Sequence, residues 1–565
     1  MRLILRFLSC AALLGGLAFA QRSAVSEAKP WWHDAVIYQI YPRSFGDSNG
    51  DGIGDLNGIT NHLDYLKDLG VDGIWITPFF PSPQVDFGYD ISDYEGIDPQ
   101  YGTMADFDRL MAEARKRNIR VLLDFVVNHT SDRHPWFVES RSSRNNPKAD
   151  WYVWQDPPAG NRPPNNWISI FGGSAWEFDK ARGQFYYHAF YKEQPDLNWR
   201  NPQVRNAMFD VMRFWMKRGV AGFRLDAVPS MFEDAKLRDE PVARPGKSAY
   251  GDPILTRQYT DNLPECDEVL RQMRKVTDEF PDGVMVGETY VANAKDLAKL
   301  YGANHDELHL PMDTQLGFGS LSAARYRARL LEAETQLNGN TPLLVFNNHD
   351  NTRSISRLGD GTHQGELARM LATLTLTPRA TVLLYYGEEL GMTNDDPKRK
   401  EDVRDAIGIR GWPQEKGRDG ERKPMQWNGD TNAGFGTSRT PWLPVSPGYR
   451  KVNAAIEAKD PASVLNYYKA LIRLRKSNAA LREGDFQLVN PDDPDVLAFV
   501  RRAPDGTAAL IMLNCTPAPR TVAVRNLAEK QAAVLLSSFA PEGSVVNLAA
   551  VALPPYGALV ARIAR

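Results

Sequence analysis

Between about residues 35 and 390, short apolar runs alternate with longer stretches whose apolar positions recur every three or four residues. The runs are AVIYQIY, DGIWITP, IRVLLDFVV, AGFRLDAV, GVMVGET, ELHLPM, PLLVFNN and ATVLLYYG, eight in all. Near-continuous apolar character suits strands buried on both faces, as in a parallel sheet covered by helices. The stretch 201–218 shows the intervening pattern, with Val204, Met208, Val211 and Trp215 on one face of a helical period. Eight strand–helix units predict an α/β fold, a closed (β/α)8 TIM barrel spanning residues 31–479. An open doubly wound sheet is the rival, but no glycine-rich dinucleotide or phosphate fingerprint follows the first strand.

Two stretches depart from this rhythm. After the third run, residues 130–200 are rich in Trp, Pro, Asn and Gly and too long for a loop, which predicts an inserted subdomain. From 480 to 565 the pattern changes to strands without helices, as in DVLAFVRR, AALIMLN and ALVARI, predicting a C-terminal antiparallel β-sandwich. The N-terminus, MRLILRFLSCAALLGGLAFAQ, has Arg2 and Arg6, then an apolar stretch short of a membrane span, then Ala18-Phe19-Ala20. That order predicts a cleaved secretory signal over residues 1–20 and a secreted or periplasmic location. Beyond it only Cys266 and Cys515 remain, so no disulfide framework is expected.

Charge narrows the partner class. The 565 residues carry a net charge of -3 with both signs interspersed, giving no basic field for nucleic acid and no polybasic segment for a membrane surface. A small neutral substrate fits this balance.

The fourth run, GFRLDAV, sets Arg224 and Asp226 two apart, hence on one face of a strand near its C-terminal end, where barrel active sites lie. Alone this is as readily a structural ion pair. Other strand ends add acids: Asp124 with Asn128 and His129 in DFVVNH, Glu288 in VGET, and His349 with Asp350 in FNNHDN. Acids converging from three or more strand ends predict one site. Two carboxyl groups flanking a glycosidic bond are what its hydrolysis needs, one as proton donor and one as nucleophile or base.

In this order DFVVNH, GFRLDAV, VGET and FNNHD resemble the four motif regions of the α-amylase family of glycoside hydrolases. QPDLN (194–198), GYDISDY (88–94) and RKPMQW (422–427) resemble its α-glucosidase and oligo-1,6-glucosidase branch. DAVPSMFED and RQYTDNLPE are similar to maltase-like members and to transporter heavy subunits of the same fold. The resemblance implies a retaining exo-acting α-glucosidase with an oligosaccharide substrate and Asp226 as nucleophile, Glu288 as acid and base, and Asp350 as the third acid. It implies that Arg224 keeps Asp226 ionised, whereas Glu288 has no such partner in its motif. His349 and His129 would hold sugar hydroxyls, Tyr89 would be the platform under the first sugar, and Phe190 a second wall. Asp90 and Arg422 would grip the 4-hydroxyl and close the pocket. Ala227, bordering the leaving sugar, implies a preference for α-1,4 over α-1,6 bonds. Glucosyl-transferring or isomerising enzymes and a non-catalytic transporter-associated homologue are the rivals.

The loop GDSNGDGIGDLNG places Asp47, Asn49, Asp51 and Asp55 at alternating positions around the Ile53 carbonyl, a set of hard oxygen donors suited to Ca2+. A solvated acidic turn is the plainer reading. The family resemblance implies a structural Ca2+ there.

Overall fold

The computed structural model describes residues 29–563, so the signal-peptide reading of residues 1–20 lies outside the described residues. Eight parallel strands close into a barrel: Val36–Ile40, Gly73–Ile76, Arg120–Val126, Gly222–Asp226, Val284–Gly287, Leu310–Asp313, Leu343–Val345 and Thr381–Tyr385. Seven fall within their apolar runs and the sixth extends one residue past ELHLPM, to Asp313, and each pairs with its sequence neighbour until the eighth returns to the first. Side-chain alternation explains the charged fourth strand. Phe223 and Leu225 point outward into the core beneath the helices, while Gly222, Arg224 and Asp226 share the inward face. Below them the barrel interior is filled by Ile37, Trp75, Leu122, Val284, Leu310, Leu343 and Leu383. Gly222 is required where it stands, since its φ is +146° and a Cβ would lie 2.0 Å from the Val284 carbonyl oxygen.

Register then sets the site. Asp124 pairs with Arg224, and Val126 with Asp226, across the third and fourth strands. On the other side Val286 pairs with Arg224 and Gly287 with Leu225, so Glu288 is the first residue past its strand, its N–H bonded to the Leu225 carbonyl at 2.9 Å. Three acids from three adjacent strands thereby surround one guanidinium.

The helix Pro202–Lys217 follows the predicted stretch and buries Val204, Met208, Val211 and Trp215 against the barrel. Asn201 accepts the Gln203 N–H as its cap, and Pro202 takes the first turn, where its missing donor costs nothing. After the third strand come the helix Pro135–Ser142 and a small antiparallel sheet of Trp154–Gln155, Gln184–Tyr187 and Trp176–Asp179. Its core is a separate cluster around Trp167, Trp176, Phe185 and Tyr187. A hairpin, Val242–Lys247 with Pro253–Leu255, follows the fourth strand.

At the C-terminus a six-stranded antiparallel sheet is covered on one face by the two-stranded ribbon Arg520–Val522 and Val551–Leu553, so the two layers are unequal. Val500, Leu510 and Met512 meet Val522 and Val551 between the layers. The other face turns Leu497, Phe499, Ile511 and Val560 into the main core. Because both faces are covered, AALIMLN is apolar throughout instead of alternating. From Trp31 onward the chain is one compact unit. No described helix is long and apolar enough to cross a membrane.

Candidate active site

At the C-terminal mouth of the barrel Arg224, 1% exposed, holds three carboxylates. Its Nη1 lies 2.5 Å from Asp226 Oδ1 and 3.0 Å from Asp124 Oδ1, and its Nη2 lies 2.7 Å from Glu288 Oε1. The face of the guanidinium rests on Trp75 at 4.7 Å. Glu288, which has no cationic partner in its own motif, receives one from the fourth strand, because the register brings both acids to opposite nitrogens of one side chain. Burial pushes the Asp226 carboxyl well above the ordinary range; Arg224 pulls it down, and the charges of Glu288, Asp124 and Asp350 push it up again. Asp124 is raised to about 6, again by burial, against Arg224. One positive charge cannot neutralise three buried carboxylates, so the group as a whole favours holding a proton.

Asp350, on the cavity wall, is opposite in character. Burial alone would raise it, but His349, Arg418, Arg422 and Arg224 hold it far below the usual carboxylate range. Arg418 Nη1 and Arg422 Nη2 each lie 2.9 Å from its Oδ1. His349 is kept neutral by burial; its Nε2 is 2.7 Å from the Tyr89 hydroxyl, its Nδ1 is 2.7 Å from Gln39 Nε2, and its ring is stacked on Tyr89 at 5.3 Å. The Tyr89 hydroxyl also donates to Asp124 at 2.9 Å, so the aromatic wall is tied to the acid cluster. His129, lowered to about 3 by burial, meets Gln194 Nε2 at 3.0 Å, and Phe190 stands 5.1 Å from its ring. Ala227 directly follows Asp226 with φ +50°, and its N–H donates to Glu288 Oε2 at 3.0 Å.

Beside them opens a cavity of about 680 Å3, whose walls include Tyr89, His129, Phe190, Asp226, Ala227, Glu288 and Asp350; Arg224 and His349, expected to touch the sugar, are buried and not on its wall. That size suits a small sugar, not a polymer groove. Asp90 and Arg422 are not on its wall, which corrects the expected gripping pair. Asp90 is wholly buried and accepts the Ser82 hydroxyl and the Val85 and Asp86 N–H groups, fixing the turn before Tyr89. Arg422 lies behind the wall, its Nε donating to the His349 carbonyl oxygen at 2.7 Å. The pair on the wall is Asp86 and Arg418, 2.6 Å apart, with Arg418 also held by Asp405. Each missed residue lies four positions before the residue first chosen, in VDFGYD and RDGER, irregular segments with no periodicity to decide which acid or guanidinium faces the cavity.

In the acidic loop the carboxylates serve the backbone. Asp47 accepts the N–H groups of Gly50 and Gly52, Asp51 that of Ile53, and Asp55 those of Ser48 and Gly58. Asn49 Oδ1 accepts the Asp51 N–H at 2.9 Å. Among the described residues no three His, Cys, Asp or Glu side chains are gathered as a metal-holding group.

Comparison with known proteins agrees with this geometry. Residues 39–484 match the α-amylase catalytic domain and residues 486–560 the maltogenic amylase C-terminal domain. The chain belongs to the α-amylase family and is a glycoside hydrolase. It is 46% identical over 489 residues to a probable alpha-glucosidase of Rhizobium meliloti (strain 1021), covering 85% of this chain and 88% of that one. It is 42% identical over 501 residues to an oligo-1,6-glucosidase of Parageobacillus thermoglucosidasius, covering 83% and 88%. The solved structure of an alpha-glucosyl transfer enzyme, XgtA, superposes with a TM-score of 0.88 at 40% identity over 95% of this chain and all of that one.

Proposed function

We propose that the protein is a retaining, exo-acting α-glucosidase that releases terminal α-1,4-linked glucose from short oligosaccharides. The observation that carries this reading is the Asp86–Arg418–Asp350 chain of ion pairs on the cavity wall, which supplies charged partners for the hydroxyls of a terminal sugar. Asp226 attacks the anomeric carbon as Glu288 protonates the leaving oxygen, and Glu288 then takes a proton from the water that cleaves the glucosyl-enzyme. The two inversions retain the α configuration. An NMR time course on maltose tests it, with α-glucose expected as the first product; β-glucose first would refute retention.

The bond preference rests on Ala227, whose small side chain on the cavity wall leaves room for a leaving sugar attached through a ring carbon. Maltose is expected to exceed isomaltose in kcat/KM, and Ala227→Val to move the ratio toward isomaltose within the roughly 10- to 200-fold that one or two methyl groups command. A branched residue at positive φ adds backbone strain, but strain in the free enzyme cancels in a ratio of two substrates. Isomaltose as the better wild-type substrate would overturn the preference. Likeness to an alpha-glucosyl transfer enzyme supports transfer to a sugar acceptor as a side reaction, read as new oligosaccharides at high maltose.

Two further readings complete the proposal. The N-terminal pattern supports export with cleavage after Ala20, which N-terminal sequencing of the mature protein checks. The loop oxygens of Asp47, Asn49, Asp51, Ile53 and Asp55 support a structural Ca2+, since a carboxylate oxygen bonded to one N–H keeps a lone pair for a cation.

A further inference from the structure

Glu288 carries one partner that the proposed reaction leaves unused. Its Oε1 accepts the Tyr290 hydroxyl at 2.8 Å and forms an ion pair with Arg224 Nη2 at 2.7 Å, while its Oε2 accepts the Ala227 N–H at 3.0 Å. Together the three fix where the two carboxyl oxygens stand. Arg224 is itself immobilised, being buried and bound to Asp124 and Asp226 above the Trp75 ring. Tyr290 stands on the cavity wall with its backbone anchored, since Thr289 before it is buried with its hydroxyl bonded to the Met312 carbonyl oxygen at 3.0 Å.

We propose that Tyr290 is a positioning residue for Glu288, its hydroxyl aiming Oε1 for the proton transfers to the leaving oxygen and from the attacking water. The inference rests on the reading of Glu288 as acid and base. The other charged groups around Glu288 are Arg224 and Asp226 on the fourth strand and Asp124 on the third, and Asp350 faces Tyr290 from beyond the seventh. Tyr290→Phe leaves those groups in place and keeps the ring, removing only the hydroxyl.

The test is the split between kcat and KM on maltose for the wild type, Tyr290→Phe and Glu288→Gln. Without the hydroxyl Oε1 is no longer aimed, so kcat is expected to fall about tenfold, the equivalent of one lost hydrogen bond to a charged group, while KM stays within about twofold. Tyr290→Ala removes the ring as well and is expected to raise KM beyond any change in Tyr290→Phe. Circular dichroism confirms that each variant is folded. An unchanged kcat in folded Tyr290→Phe, with Glu288→Gln inactive, overturns the role of Tyr290 and leaves that of Glu288 standing. An active Glu288→Gln overturns the reading of Glu288 itself.

Discussion

Two acid-rich regions of this protein use the same residue type in opposite ways. Asp226 and Glu288 are 8% and 7% exposed, and Asp47 and Asp55 in the loop are 8% and 4% exposed, so burial does not distinguish them. The partners do. At the strand ends most peptide N–H groups are engaged in the barrel ladder, and the acids turn to Arg224. In the loop, Asp47 and Asp55 each accept two peptide N–H groups, which satisfies a carboxylate without leaving it reactive. A buried acid that shares one cation with two other acids has unbalanced charge available for chemistry; one saturated by amides fixes a turn.

Removing the nucleophile should give the largest effect. Asp226→Asn fills the same space but cannot attack, so kcat for maltose is expected to fall by more than ~10³-fold with circular dichroism unchanged. Asp47→Asn, at equal burial, is expected to change kcat less than about threefold and to act on the melting temperature instead. Equal kinetic losses at the two positions would break the distinction between the regions.

The comparison also shows what the sequence carries. All eight barrel strands are legible, because a strand covered on both faces must be apolar along its length, and Arg224 with Asp226 stands out against that background. His129, Glu288 and Asp350 are legible for the same reason, being tied to strand ends whose positions follow from the repeat. Asp86 and Arg418 are not, since a side chain's direction in an irregular loop is set by tertiary contacts such as the Arg418 bonds to Asp86, Asp350 and Asp405. Tyr290 escapes notice because alternation ends with its strand and a lone tyrosine has no pattern.

Asp86 and Asp90 repeat the contrast within five residues, and substituting each sharpens it. Asp86→Asn removes a charge from the cavity wall and leaves Arg418 unbalanced, with an expected loss of roughly 100-fold in kcat/KM for maltose. Asp90→Asn is expected to stay within about threefold in kcat/KM and to lower the melting temperature, since an amide accepts fewer of the Ser82, Val85 and Asp86 donors. Burial raises the Asp90 carboxyl to about 6. A folded-state value above the unfolded one gives stability that is present at low pH and lost as pH rises through about 6. The gap in melting temperature between wild type and Asp90→Asn should therefore narrow from pH 5 to pH 7. A gap that widens would mean that Asp90 is ionised and stabilising.

The smallest expected effect belongs to the loop itself. If Ca2+ bridges Asp47, Asn49, Asp51, the Ile53 carbonyl and Asp55, it binds only the folded chain and adds stability by mass action, about 2.7 kcal/mol at a hundredfold excess over Kd. For a chain of this length that is a shift of only a few degrees, because the unfolding entropy that divides it grows with size. Excess chelator should lower the melting temperature by roughly 2–5 °C and leave kcat for maltose unchanged below the transition. Asp51→Ala, which removes a candidate ligand that otherwise accepts the Ile53 N–H and the Asn49 side-chain amide, should make the melting curve insensitive to chelator. A melting curve unmoved by chelator, with no metal by elemental analysis, would show that the protein donors, the peptide N–H groups of Ser48, Gly50, Gly52, Ile53 and Gly58 with the side chains of Ser48 and Asn49, are enough for these acids.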